Sequence, residues 1–268
     1  MMGASSVVEP QMPERYPLLG DCPTHHILGV PIHASTIVQA VDLISDVISK
    51  GASIQIGVVN AAKIVNMRRN SNLRDAVLGS DEVYADGVSV VWASRFLGCP
   101  LPERVAGIDL MYKMLERGSE VGWRFYCLGA SLEVLTKTCQ IFQSEFPGIH
   151  LVGSHHGYFS LSDAQEVAQD IRRARPDVVF VAITSPKKEE FMSEWGGVLD
   201  ARVIHGVGGS FDVVSGKTDR APIAWQKSGL EWLYRVLQEP RRLWRRYLVT
   251  NTLFVGLVIK EKLRLLVK

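Results

Sequence analysis

The stretch Asp177-Val-Val-Phe-Val-Ala-Ile-Thr184 decides the fold. Its apolar residues run without polar alternation and are rich in β-branched side chains. That is the pattern of a short strand covered on both faces. Downstream, Lys187–Leu199 reads as a helix and Arg202–Val207 (RVIHGV) as the next strand. Upstream, His150–Gly153 reads as a strand. Ser162 to Gln165 has the spacing of a capping box that opens a helix to about Ala174. Arg124–Leu128 (RFYCL) is a further strand, followed by a helix over Leu132–Phe146 that Pro147 helps to end. In the first half, Ile54–Val59 (IQIGVV) and Glu82–Ala85 read as strands. A helical pattern runs through Ala61, Ile64, Val65 and Leu73, and another covers Val88–Leu97. Strand–helix alternation predicts an α/β fold: an open, mostly parallel, Rossmann-like sheet with helices on both faces. Ligands of such sheets bind beyond the carboxyl ends of the strands.

The pattern changes after Gly216. Pro222–Gln238 reads as one helix and 241–268 as another, with Pro240 suited to the first turn of the second. Three segments result: a mobile tail over 1–23, holding Pro10, Pro13, Pro17 and Pro23; an α/β catalytic domain over 24–219; and a helical appendage over 220–268. The appendage carries eleven Lys or Arg against three Glu, a net of +8. In a chain of net charge +2, that leaves −6 for the first 219 residues. A basic end on an otherwise acidic chain implies an anionic partner. Arg241 and Arg245, and Arg242 and Arg246, fall four residues apart and concentrate charge on one side of a helix. Leu243, Trp244, Tyr247, Leu248, Phe254, Leu257 and Val258 supply apolar surface. This describes a basic amphipathic helix lying in an anionic membrane surface, or a solvated face whose apolar side packs on the core. No recognition module supports nucleic acid. No apolar run reaches the 18 or so residues of a spanning helix, and no signal peptide is evident.

Cys22, Cys99, Cys127 and Cys139 follow no zinc or redox spacing. The adjacent pairs His25–His26 and His155–His156 are poorly placed to chelate, so no metal site is expected. The loop Gly206-Val-Gly-Gly-Ser-Phe-Asp212 can bring backbone N–H groups to a phosphate, with a helix N-terminus behind it, or can serve only as a tight turn. No dinucleotide fingerprint or P-loop is present, which leaves a dehydrogenase unsupported. Asp86, in YADGVSVV, stands where a strand ends. It can accept a proton from a substrate hydroxyl or cap the helix that follows. The chain holds no Asp-x-Asp, so backbone N–H groups or arginines must neutralise a departing diphosphate. Arg suits that task because its planar fork donates two parallel bonds.

Eight ordered strings resemble the WecG/TagA/CpsF glycosyltransferase family across about residues 27–248: Asn60 after the first strong strand, YADGVSVVWASRFLG (84–98), ERVAGIDL (103–110), FYCLGAS (125–131), VGSHHGYF (152–159), SPKKEEF (185–191), GVGGSFDVVSGKTDRAP (206–222) and EWLYRVLQEPRRLWRRY (231–247). The resemblance implies a bacterial, inverting, metal-independent enzyme with no cofactor. It would move a hexose or N-acetylhexosamine-type sugar from a UDP-sugar to a polyprenyl-diphosphate-linked acceptor for a cell-surface polysaccharide. It would work in the cytoplasm at the inner face of the membrane, as a homo-oligomer or alone. A non-catalytic, nucleotide-binding membrane adaptor is the alternative. By the same resemblance Asp86 is the general base, and Asn60 and Arg104 complete the catalytic pocket. Tyr158, Lys188, Gly206, Gly208, Gly209 and Asp212 bind substrate, and Arg235, Arg242 and Arg245 close over the diphosphate. Two positions depart from the pattern: Val58 stands where Thr is usual, and Lys188 replaces a Gln. A hydroxyl and an amide are lost and a cation is gained, which bears on the choice of donor sugar.

Overall fold

Why Asp177–Thr184 is fully apolar becomes plain in three dimensions. A computed structural model describes residues 22–160 and 162–267; nearly all of the stretch 1–23 therefore lies outside the described residues. The chain opens with an antiparallel hairpin, β1 (Thr24–Ile27) and β2 (Val30–His33), then α1 (Ile37–Ser49). Thr36 and Gln39 form a full capping box at the start of α1. The alternating part follows: β3 (Ile54–Val59), α2 (Ala61–Met67), α3 (Ser71–Leu78), β4 (Glu82–Ala85), α4 (Val88–Leu97), α5 (Gly107–Val121), β5 (Arg124–Gly129), α6 (Leu132–Glu145), β6 (His150–His155), α7 (Ala164–Ala174), β7 (Val178–Ala182), α8 (Lys187–Trp195), β8 (Val203–Gly206) and α9 (Ser210–Val214). The C-terminal part is α10 (Ile223–Lys227), α11 (Glu231–Gln238) and α12 (Pro240–Val267).

Strands β3 to β8 form one sheet in the order β4-β3-β8-β7-β5-β6, with every neighbouring pair parallel. This is the expected open α/β sheet. All five residues of β7 are buried. One face packs on α1, α5, α6 and α9 around Phe125, Phe142, Phe180 and Phe211; the other packs on α7 and α8 around Leu128, Val181 and Phe191. A third cluster lies among the hairpin, α2, α3, α4 and α12. The hairpin also closes the sheet's edge, because the Val83 N–H of β4 donates to Nδ1 of His33 at 3.0 Å.

Three local expectations change. The pattern through Ala61 and Leu73 is two helices, since Asn70 accepts from the Leu73 N–H at 3.0 Å and starts α3 afresh. Ser162 does not cap α7: its hydroxyl bonds to the side chains of Ser160 and Asp163, and the helix begins only at Ala164. The helix expected over Pro222–Gln238 breaks between α10 and α11, where Gly229 has φ +68° and presses on Trp92 of α4. A β-carbon at Gly229 would lie 2.8 Å from that indole.

The apolar surface of α12 is divided. Leu243, Phe254 and Val258 are buried, the last two in the cluster with α2 and α4. Trp244, Leu248, Val255, Ile259, Leu263 and Leu266 recur at helical spacing and are exposed. Leu243, Phe254 and Val258 therefore belong to the fold and not to a membrane-facing surface. Among the described residues, no helix is long and apolar enough to cross a membrane.

Candidate functional site

Four adjacent strands, β4, β3, β8 and β7, end side by side and deliver most of the expected residues to one rim. Asp86 follows β4, and its N–H continues the ladder by donating to Val59 O at 2.9 Å. Its carboxylate does not cap α4, whose N-cap is Gly87 with no side-chain bond. Instead Oδ1 accepts the Gly107 N–H at 3.1 Å, at the start of α5, a helix with no side-chain cap of its own. One carboxylate oxygen is thus fixed, while the other has no hydrogen bond among the described residues. Asn60 follows β3 and caps α2, its Oδ1 accepting from the Lys63 N–H at 3.0 Å. It stands against the Asp86–Gly87 turn: a β-carbon at Gly87 would lie 3.1 Å from the Asn60 β-carbon, so the two strand ends approach this closely because position 87 has no side chain.

Behind Asp86 lies His205 of β8, fully buried, with Nε2 3.0 Å from Gly107 O. Burial first, then the charge of Lys188, holds its pKa down to about 4 against the bond to Gly107. A neutral imidazole facing a carbonyl donates from Nε2.

Gly206 ends β8, Gly208 and Gly209 follow it, and Gly208 takes the left-handed φ of +57°. Beneath them lies Lys188, only 5% exposed, whose Nζ donates to Gly206 O at 3.3 Å and sits 3.4 Å from Glu189 Oε1. Lys63 donates to the same Glu189 oxygen at 2.8 Å and to Val58 O at 2.6 Å. Burial and then Lys63 pull the Lys188 ammonium down to about 8, with Glu189 and Asp86 acting the other way. Burial opposes the charge of Glu189, but the two lysines outweigh it and hold its carboxyl at about 2. Lys188 thus supports the glycine loop from below. The helix behind the loop, α9, has only five residues. Asp212, in its first turn, already counters its positive end and pairs with Lys217 at 3.0 Å.

Arg104 precedes α5 and is held from both sides. Its Nη1 lies 2.8 Å from Glu231 of α11 and its Nη2 3.2 Å from Asp109, which also binds Arg220 at 2.6 Å. Burial opposes the guanidinium charge, and Glu231, Asp86 and Asp109 more than compensate. Arg235 reaches the other oxygen of Glu231 at 3.4 Å. The structure therefore brings Asp86, Asn60, Arg104, Lys188 and the glycine loop to one rim and links Arg235 to Arg104. Arg245 is exposed on α12, and the side chain of Arg242 lies outside the described residues. Tyr158, 77% exposed, follows β6 at the far edge of the sheet, about five strand spacings or ~24 Å from β4. Glu231, Asp109, Arg220, Lys63 and His205 were not singled out in the sequence. Their partners are up to 127 residues away, and only Glu231–Arg235 has a local signal, its four-residue spacing.

A strand-end carboxylate beside a glycine loop and a ring of arginines suits group transfer from a diphosphate. Comparison with known proteins agrees. Residues 25–268 match the family described as Glycosyl transferase WecG/TagA/CpsF. A curated relative from Bacillus spizizenii, an N-acetylglucosaminyldiphosphoundecaprenol N-acetyl-beta-D-mannosaminyltransferase, is 40% identical over 175 residues, which cover 65% of this chain and 67% of the relative. With its parallel sheet, its strand-end aspartate and a match over nearly all of its described length, this chain belongs to the WecG/TagA/CpsF family of glycosyltransferases.

Proposed function

We propose that this protein moves an N-acetylhexosamine-type sugar or a hexose from a UDP-sugar to a sugar on polyprenyl diphosphate, with inversion at the anomeric carbon and without a metal. The observation that carries this reading is Asp86, held through one oxygen by Gly107 at a rim shared with the glycine loop and Arg104. The relative's name supports the acceptor class, a diphosphoundecaprenol-linked sugar, and an N-acetylated sugar as the group transferred.

On this reading the diphosphate of UDP lies on the loop 206–212. The acceptor hydroxyl gives its proton to the free oxygen of Asp86, and its oxygen attacks the anomeric carbon from the side opposite UDP. The bond from that carbon to the β-phosphate oxygen breaks, and the electron pair leaves with UDP. Arg104 and the appendage arginines, with Lys188 under the loop, neutralise the charge that develops. Holding both reactants on one rim recovers several kcal/mol of the barrier. The exposed stripe of α12, flanked by Arg241, Arg245 and Lys262, supports docking on an anionic membrane surface, where the acceptor is anchored.

The test is incubation of the purified full chain with a lipid-diphosphate N-acetylglucosamine and a panel of UDP-sugars. The expected result is UDP release matched by a disaccharide lipid of inverted anomeric configuration. UDP binding without transfer to any acceptor would leave a nucleotide-binding adaptor instead.

A further inference from the structure

Two arginines from different elements meet on one carboxylate. Arg104, from the loop before α5, and Arg235, from α11, take the two oxygens of Glu231 at 2.8 and 3.4 Å. Both are placed by the proposed function at the leaving diphosphate, so the anion between them is one that the protein itself supplies. We propose that Glu231 is a built-in competitor for the β-phosphate of the nucleotide: it holds Arg104 and Arg235 while no diphosphate is bound, and the β-phosphate displaces it. The inference rests on the proposed function for the identity of the ligand, but not for the geometry.

The surrounding charges favour exchange over addition. Asp109, Glu231 and the nearby Asp86 face Arg104, Arg220 and Arg235, which balances the cluster without a ligand. A diphosphate arriving beside Glu231 would bring like charges together at partly buried side chains, where water screens weakly. Arg104 is 15% exposed and Glu231 22%. Exchange leaves the arginines an anion and the cluster near balance. It also leaves Arg104 in place, because its second nitrogen remains on Asp109, which Arg220 holds from the other side. Glu231 can leave because it begins a helix of eight residues bounded by Gly229 at φ +68° and by Pro240. A nucleoside monophosphate held on the glycine loop has no second phosphate to reach this point. Glu231 therefore makes occupation of the arginines depend on a diphosphate.

The experiment is calorimetric titration of the full chain and of Glu231→Gln with UDP, UMP and inorganic pyrophosphate, with thermal unfolding to confirm the fold. Removing the competing charge should tighten UDP and pyrophosphate roughly tenfold, the scale of one partly buried ion pair lost from the empty state, and leave UMP within about twofold. Glu231→Ala should act in the same direction, which guards against a new bond from the Gln amide. Unchanged or weaker binding of UDP and pyrophosphate, or an equal gain for UMP, would overturn the proposal. If neither protein binds UDP but pyrophosphate still tightens in the variant, the competitor stands and the glycosyltransfer reading fails. If the enzyme transfers sugar but both affinities are unmoved, the reverse holds.

Discussion

Asp86→Asn separates the chemical role of this side chain from its structural one. The Oδ1 of Asp86 is the acceptor for the first amide of α5, a fifteen-residue helix whose N-cap, Ala106, contributes no side-chain bond. Asn keeps an oxygen of the same reach, so that bond and the fold should persist. What Asn lacks is the capacity to take a proton. A positioned general base is worth about 10²–10⁴ in rate, or roughly 2.7–5.4 kcal/mol of barrier. Asp86→Ala removes both functions; the lost acceptor should cost about 1 kcal/mol of stability and, in a chain of this size, lower Tm by roughly 2–4 °C. Both variants should therefore lose turnover by two to four orders of magnitude at saturating donor and acceptor, while only the Ala variant loses stability. UDP affinity measured by calorimetry should stay within a few-fold in both. The assay is initial-rate formation of lipid-linked disaccharide. An Asn variant within tenfold of wild type, or one whose loss lies in KM alone, would refute the assignment of Asp86 as base.

Four other outcomes are expected. On the proposed reading transfer should persist in excess EDTA, since no Asp-x-Asp is present and arginines would neutralise the leaving group; complete loss restored by magnesium or manganese would reveal a metal requirement. UDP affinity should decline as pH rises through about 8, where the buried Lys188 under the glycine loop loses its proton, and Lys188→Gln should remove that pH dependence. Burial raises the pKa of Glu82 from 4.5 to about 7, so between those values the folded chain holds a proton that the unfolded chain has released. Stability from this group should therefore fall as pH rises across that window, by on the order of 3 kcal/mol. His33 acts oppositely below its ordinary pKa, and comparing wild type with Glu82→Gln in denaturant titrations isolates the Glu82 share. On α12, Trp244→Ala and Leu248→Ala should weaken binding to anionic vesicles with little change in Tm, whereas Phe254→Ala should cost about 3–5 kcal/mol of stability.

What the sequence discloses depends on how local the physics is. Strands such as Val178–Ala182 and Ile54–Val59 are legible because a parallel strand buried on both faces must be apolar along its whole length. Asp86 and the glycine loop are legible as candidates because a strand end fixes their place in the fold. The hairpin β1–β2 is not, because its turn is Leu28-Gly29, with φ +54° and +84°, where Asn-Gly or Asp-Gly would announce it. Leu28 is buried, and packing outweighs the strained backbone. The break at Gly229 is set by Trp92, and the pairing of Arg104 with Glu231 spans 127 residues. Neither has a spacing to read. Lys188 reads as a cation standing for a Gln among the substrate-binding candidates, and its burial under the loop is not legible, because Glu189 and the Gly206 carbonyl satisfy an ammonium there only in the folded chain.

The same long-range contacts change how the basic C-terminal segment works. Charge and the end of the strand–helix alternation set it apart from about residue 220 as a basic appendage that meets an anionic partner. Yet Phe254 and Val258 share a core cluster with α2, whose N-cap is Asn60, and with α4, which starts two residues after Asp86. Lys262 lies over the ring of Phe96 on α4, and Gly229 packs on Trp92 of the same helix. At the other end of the segment, Glu231 grips Arg104. The segment is thus fastened at several points to the two helices that start at the rim carrying Asn60 and Asp86, and its exposed stripe is oriented by that fastening. On the proposed reading, a membrane that takes up the stripe therefore orients the rim as well.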